Sequence, residues 1–137
     1  MIKNIGHLAF NVSDMKKSLH FYCDQLGFTH LFQLKDDKGN PWINYLKITE
    51  NQFIELFYGK DLKNSDGASY SHLCLEVDDI VATVRDLESR GIALVHKITQ
   101  GSDKNYQAWI KDPDGNRIEL MQLNPGCPQL TATGFKS

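Results

Sequence analysis

The 137-residue sequence contains no apolar run approaching the ~18–20 residues that a bilayer-spanning helix requires. A membrane-spanning role through helices is therefore not expected. Met1 to Phe10 carries a charge but no apolar core segment, so no secretory leader is expected either. Cysteine is scarce. Cys23, Cys74 and Cys127 are odd in number, and their spacing fits neither a zinc knuckle nor a redox pair. A reduced, cytoplasmic setting follows as the simplest expectation. There is no excess of positive charge. Fifteen basic residues against 17 acidic ones leave a net charge of −2, which gives no electrostatic reason to expect nucleic acid or an anionic membrane as partner. What is present is ordinary for a globular chain, at 41% apolar and 23% charged residues.

The chain repeats itself. His7-Leu-Ala-Phe-Asn-Val-Ser-Asp14 is followed by a helical stretch and Gly27, and His72-Leu-Cys-Leu-Glu-Val-Asp-Asp79 by a helical stretch and Gly91. Further on, Phe53-Ile-Glu55-Leu matches Arg117-Ile-Glu119-Leu. The offsets are 65 for His and Asp and 64 for Gly and Glu. So small a drift points to a duplicated module.

Each module has the same grammar. Residues 6–12 alternate, with His7, Ala9 and Asn11 on one face and Leu8, Phe10 and Val12 on the other, which is a strand period. Asp14 and Asp79 are suited to cap helices. Met15, Leu19, Tyr22 and Leu26 fall at helical spacing, as do Ile80, Val84 and Leu87. Gly27 and Gly91 suit the left-handed position that ends a helix. Strands are expected at Phe28–Leu34, Trp42–Ile48 and Gln52–Tyr58, then at Ile92–Ile98, Asn105–Lys111 and Asn116–Leu123. Asp112-Pro-Asp-Gly115 is the hairpin turn between the last two. The expected class is α+β, with two βαβββ modules at 3–58 and 69–123, a linker at 59–68, one domain over 1–126, and a flexible tail at 127–137.

The duplication places His7 and His72 on the first strand of each module, and Glu55 and Glu119 on the last. If the modules pack with pseudo-twofold symmetry, two imidazole nitrogens and two carboxylate oxygens can converge on one divalent ion. That donor set suits Zn²⁺, Ni²⁺, Co²⁺, Mn²⁺ or Fe²⁺ without discriminating sharply among them. An octahedral sphere would keep two positions for adjacent oxygens of a substrate. Each glutamate lies in an apolar strand, where a bare carboxylate is costly unless paired. A solvated strand face is the favoured reading of a lone strand glutamate, whereas two matched glutamates, each accompanied by a matched histidine, favour a metal over that alternative.

At these residues the chain resembles the vicinal oxygen chelate superfamily, which includes glyoxalase I, methylmalonyl-CoA epimerase, extradiol dioxygenases, fosfomycin-resistance proteins and bleomycin-binding proteins. The resemblance spans roughly residues 3–123. Asp-Pro-Asp-Gly-Asn-Arg-Ile-Glu-Leu and Asp-Met-Lys-Lys-Ser-Leu-His-Phe-Tyr carry the family's usual wording. It implies paired βαβββ modules whose strands form a curved mixed sheet around a metal held by His7, Glu55, His72 and Glu119. The acid at Glu55 resembles the glyoxalase I branch, since dioxygenases and fosfomycin proteins usually use three ligands. Two positions depart from the glutathione-using members: Asn11 stands where they carry Arg, and Gly59 where they carry Asn. Family members commonly dimerise, so a homodimer is expected, with the site either within one chain or between chains.

The resemblance implies a metal-dependent lyase or isomerase acting on a small α-hydroxycarbonyl compound, with proton transfer through a metal-stabilised enediolate. Glu119 is the expected base and Glu55 its equivalent. The rival enzyme reading is an Fe²⁺ dioxygenase using two His and one carboxylate. The non-enzyme reading is a drug- or toxin-binding protein gripping a planar ligand among Trp42, Tyr45, Phe57 and Trp109. Trp42 and Trp109 either wall the pocket or fill the core. Cys74 shares the facing of His72 and is expected to line the site as a small packing residue. Cys23 is expected to pack its helix, and His20, His30 and His96 to serve as surface, strand or loop residues. The loop after Gly101 is a candidate lid.

Overall fold

The computed structural model describes residues 1–60, 62 and 69–134. Most of the expected linker, and residues 135–137 of the tail, lie outside the described residues. The chain divides into two compact units. The first is Met1–Gly67 with Asp112–Gly115, and the second is Ala68–Lys111 with Asn116–Ser137.

The first unit carries β1 (His7–Val12), α1 (Met15–Leu19), a π-helical turn (His20–Gln25), β2 (Thr29–Lys35), β3 (Pro41–Thr49) and β4 (Gln52–Tyr58). Its four-stranded sheet runs β1-β4-β3-β2, with β1 parallel to β4 and the other pairs antiparallel. The second carries β5 (Leu73–Glu76), α2 (Ile80–Ser89), β6 (His96–Gln100), β7 (Tyr106–Lys111) and β8 (Arg117–Gln122), in the order β5-β8-β7-β6 with the same parallel and antiparallel pairings. The α+β class and the paired βαβββ grammar are as the sequence indicated. None of the described helices is long and apolar enough to cross a membrane.

The capping chemistry explains where the helices begin and end. Asp14 accepts from Lys17 N at 3.1 Å, and Asp79 from Ala82 N at 2.9 Å, each satisfying an amide the first turn leaves open. Gly27 and Gly91 follow with φ of 84° and 88°, a conformation open to glycine at little cost. These caps also shift the strands that follow. Phe28 N bonds to Tyr22 O and Ile92 N to Leu87 O, so both residues finish a helix cap. β2 consequently starts at Thr29, one residue later than the spacing predicts, and β6 starts at His96, four residues later.

The first helix also departs from its expected face. Met15, Ser18, Phe21 and Tyr22 are buried, while Leu19 and Leu26 are only half-buried. The wider π turn, closed by Leu26 N to Phe21 O at 2.9 Å, turns the adjacent aromatics Phe21 and Tyr22 both inward. Val12, Leu46, Ile54 and Leu56 complete that unit's core, and Ile80, Ile110, Ile118 and Leu120 are its counterparts in the second unit. Each such side chain contributes about 1.5–3 kcal/mol by leaving water. The aperiodic tail is seated rather than loose at its start. Pro128–Thr131 forms a short α3, Cys127 before it is buried, and Gln129 accepts from Asn105 Nδ2 at 3.0 Å.

The first unit also holds the turn Asp112–Gly115. Buried Tyr22 donates its hydroxyl to Asp112 Oδ2 at 2.7 Å, and Ser13 N donates to Asp114 Oδ1 at 3.1 Å.

Candidate metal centre

Strand alternation sorts the residues of β4. Ile54 and Leu56 point into the core, which sends Glu55 to the opposite face with Phe53 and Phe57. In register, Glu55 lies between Ala9 on β1 and Tyr45 on β3. His7, two residues before Ala9, shares that face and brings Nε2 to 3.1 Å from Glu55 Oε2. The Tyr45 hydroxyl lies 3.1 Å from His7 Nδ1, and the two rings meet edge-on. Burial, then the charge of Glu55 and a hydrogen bond to it, hold the Tyr45 phenol above its ordinary range.

The second unit repeats the construction. Ile118 and Leu120 are buried, Glu119 faces the other way, and its register neighbours are Cys74 and Trp109. His72 Nε2 lies 3.0 Å from Glu119 Oε2. Here Ser71 Oγ lies 2.8 Å from His72 Nδ1, and Trp109 meets the imidazole edge-on at 4.8 Å between centroids. The glutamate side chains are only 13% and 15% exposed, which argues against the solvated-face alternative. Cys74 sits beside Glu119. Contrary to a buried packing role, Cys74 is exposed on that face, and partial desolvation first and then the neighbouring carboxylate push its thiol up to about 12, so it is protonated at neutral pH.

The four candidate ligands are thus brought together two by two. Among the described residues, no group of three or more His, Cys, Asp or Glu side chains gathers where one ion could sit. Each pair nonetheless has the donor chemistry of a half-site. A hydroxyl engages Nδ1 and leaves Nε2 facing the carboxylate. One imidazole nitrogen and one carboxylate oxygen per pair suit a divalent first-row ion.

The remaining candidates are dispersed. Trp42 is half-exposed at the far end of β3, edge-on to Phe57. Asn11 is exposed on β1, and a β-carbon at Gly59 would stand 3.2 Å from its Cβ and 3.1 Å from the Leu62 side chain. The two positions that depart from the glutathione-using pattern are therefore neighbours, with Leu62 against them. His20 is exposed and 2.8 Å from Asp24. Sequence reasoning gave no role to Ser71 or Arg117. Ser71 leaves no trace in the repeat, because Gly6 holds the corresponding place. The pairing of Tyr45 with Trp109 did leave one, since they stand 64 residues apart like the glutamates they flank.

Two α+β modules, each presenting one imidazole–carboxylate pair on a strand face, define a duplicated α+β fold. Residues 4–120 match the family model described as the Glyoxalase/Bleomycin resistance protein/Dioxygenase superfamily, and the chain belongs to that superfamily. It is 35% identical over 126 residues to a probable lactoylglutathione lyase of Synechocystis sp., covering 86% of this chain and 94% of the relative. Among solved structures it is similar to a glyoxalase family protein from Enterococcus faecalis, with a TM-score of 0.77 and 26% identity over 87% of this chain and 97% of the other. It is also similar to TnmS3, an antibiotic binding protein from a Streptomyces species, with a TM-score of 0.72 and 26% identity over 90% and 98%.

Proposed function

We propose that the protein is a divalent-metal-dependent lyase or isomerase of the glyoxalase type. His7, Glu55, His72 and Glu119 hold the ion, and a proton moves between adjacent carbons of a small α-hydroxycarbonyl substrate. The observation that carries this reading is the repetition of one imidazole–carboxylate pair, at 3.1 Å and 3.0 Å, in both units. The relative named a probable lactoylglutathione lyase supports it. Asn11 and Gly59, in place of the Arg and Asn of glutathione-using members, weigh against glutathione as part of the substrate.

A bound divalent ion supplies Lewis-acid polarisation of a substrate oxygen, which acidifies the neighbouring C–H. The chain's own groups do the rest. Glu119 takes the proton from one carbon and returns it to the next while the hydroxyl proton passes to the neighbouring oxygen, so hydroxyl and carbonyl exchange places, with Glu55 in the equivalent place. A positioned base of this kind contributes about 10²–10⁴-fold. The hydroxyls of Tyr45 and Ser71 hold the imidazoles in one orientation. Trp109 and Cys74 flank Glu119 and limit water at its carboxylate. The proposed functional form is a homodimer, since β2 leaves Leu31, Phe32 and Leu34 exposed on a sheet edge that a second copy can cover.

The test is C–H exchange into deuterium oxide, followed by NMR across small α-hydroxycarbonyl compounds with Ni²⁺- or Zn²⁺-loaded protein. Exchange is expected with at least one compound, and Glu119→Gln is expected to cut it by about 10²-fold or more. Full exchange in a Glu119→Gln protein that still binds metal would remove Glu119 as the base. Absence of metal binding by the native chain would remove the whole reading.

A second reading, capture of a planar small molecule without turnover, is favoured by the similarity to the antibiotic binding protein and by the open aromatic pair Trp42 and Phe57. Equal ligand affinity with and without metal, and no exchange, would select it.

A further inference from the structure

The duplicated half-sites are alike in their ligands but not in what surrounds them. At the start of β8, two residues before Glu119, the second unit carries Arg117 where the first carries Phe53. Even spacing puts Arg117 and Glu119 on the same face of the strand. The Arg117 guanidinium carbon lies 4.4 Å from the centroid of the Trp109 ring, the indole that also meets His72 edge-on. Trp109 is itself fixed, its Nε1 donating to Gln107 Oε1 at 2.8 Å. The cation is therefore laid on a held aromatic plane beside the half-site.

Its other neighbour is a second cation. The register sets Lys111 directly opposite Arg117. Like charges facing across a strand pair are unfavourable. Natural sheets usually relieve such a pair with a carboxylate, yet neither residue has an ion-pair partner among the described residues. Arg117 is exposed and fills no part of the core, and its contact with the chain is the face of Trp109. A stacked, unpaired guanidinium loses little freedom when a carboxylate docks on its fork.

From this arrangement we infer that Arg117, with Lys111 beside it, is the substrate-orienting residue of the site and holds a carboxylate carried by the substrate. The inference rests on the metal-centred reading above and narrows it. The substrate class becomes small hydroxycarbonyl compounds with an anionic group on one side. It also supplies what two matching half-sites lack, a reason for the substrate to enter in one direction only. Phe53 at the equivalent place offers that group nothing.

Calorimetry on the full-length, Zn²⁺-loaded protein tests this with two chelating probes that share one head group, acetohydroxamate and the monohydroxamate of succinate. The native protein is expected to bind the carboxylated probe about tenfold or more tighter, the usual gain from a charge-assisted pair. Arg117→Gln is expected to abolish that preference and leave acetohydroxamate within about twofold, while Arg117→Lys keeps part of it. No preference in the native protein, or a preference kept intact in Arg117→Gln, overturns the inference. If the native protein retains no Zn²⁺, the metal-centred reading fails and the inference falls with it. If Zn²⁺ is retained and only the preference is missing, the metal-centred reading stands alone.

Discussion

His7 and His72 each have one ring nitrogen committed to a hydroxyl and the other facing a carboxylate. A ligand imidazole held in this way needs no reorientation when an ion arrives, and outer partners of this kind are worth about 10–100-fold in metal affinity. Tyr45→Phe and Ser71→Ala are each expected to weaken metal binding by about tenfold, measured by chelator competition, with little change in melting temperature. The two variants also discriminate between the two His–Glu pairs, because Tyr45 lies beside His7 and Ser71 beside His72. At this scale the two His–Glu pairs were legible in the sequence and their hydroxyl partners were not. Duplication preserved His and Glu in both copies, so repetition exposed them. Ser71 and Arg117 occur in one copy only, with Gly6 and Phe53 in the other, and a residue that breaks the repeat is invisible to a search for repeats.

Among the elements, the first helix shows how local chemistry and tertiary packing divide the work. Its start at Asp14 and its stop at Gly27 are capping decisions that a sequence states openly. Its inward face is not, because the π turn at His20–Gln25 changes the period partway and selects Ser18 and Phe21 over Leu19 and Leu26. The same holds for strand starts. Phe28 and Ile92 look like strand residues by composition, but their amides close the preceding helix caps. The buried Tyr22 hydroxyl gives this helix a quantitative test. Tyr22→Phe keeps the ring packing against Phe21 and Phe28 but removes the 2.7 Å bond to Asp112. It is expected to cost about 1.5–3 kcal/mol, as for a hydrogen bond to a charged group, read by urea denaturation.

For the whole molecule, the repeat was enough to announce a duplicated α+β fold, because an offset near 65 residues with matching strand, cap and glycine positions leaves few alternatives. Assembly was less legible. β2 is exposed along its length and shows Leu31, Phe32 and Leu34, an edge that isolated globular chains usually blunt with charge. Sedimentation is expected to give twice the 15.6 kDa chain mass, and substituting Lys for Phe32 is expected to shift the population toward monomer. Mixing His7→Ala with His72→Ala chains then separates two ways of building the ligand set. Sharing ligands across chains regenerates one complete set per mixed dimer, whereas sets made within a chain regenerate none.

The turn Asp112–Gly115 has a bearing on the protein's ancestry. An internal duplication begins as two interchangeable copies, and either can be lost or shuffled. Here the turn that joins β7 to β8 belongs with the first unit, where Tyr22 and Ser13 take its two aspartates as acceptors. A gene trimmed to the first copy would leave both donors without those acceptors. The first half has accordingly come to depend on a turn encoded within the second, and the second copy cannot be discarded without removing both acceptors.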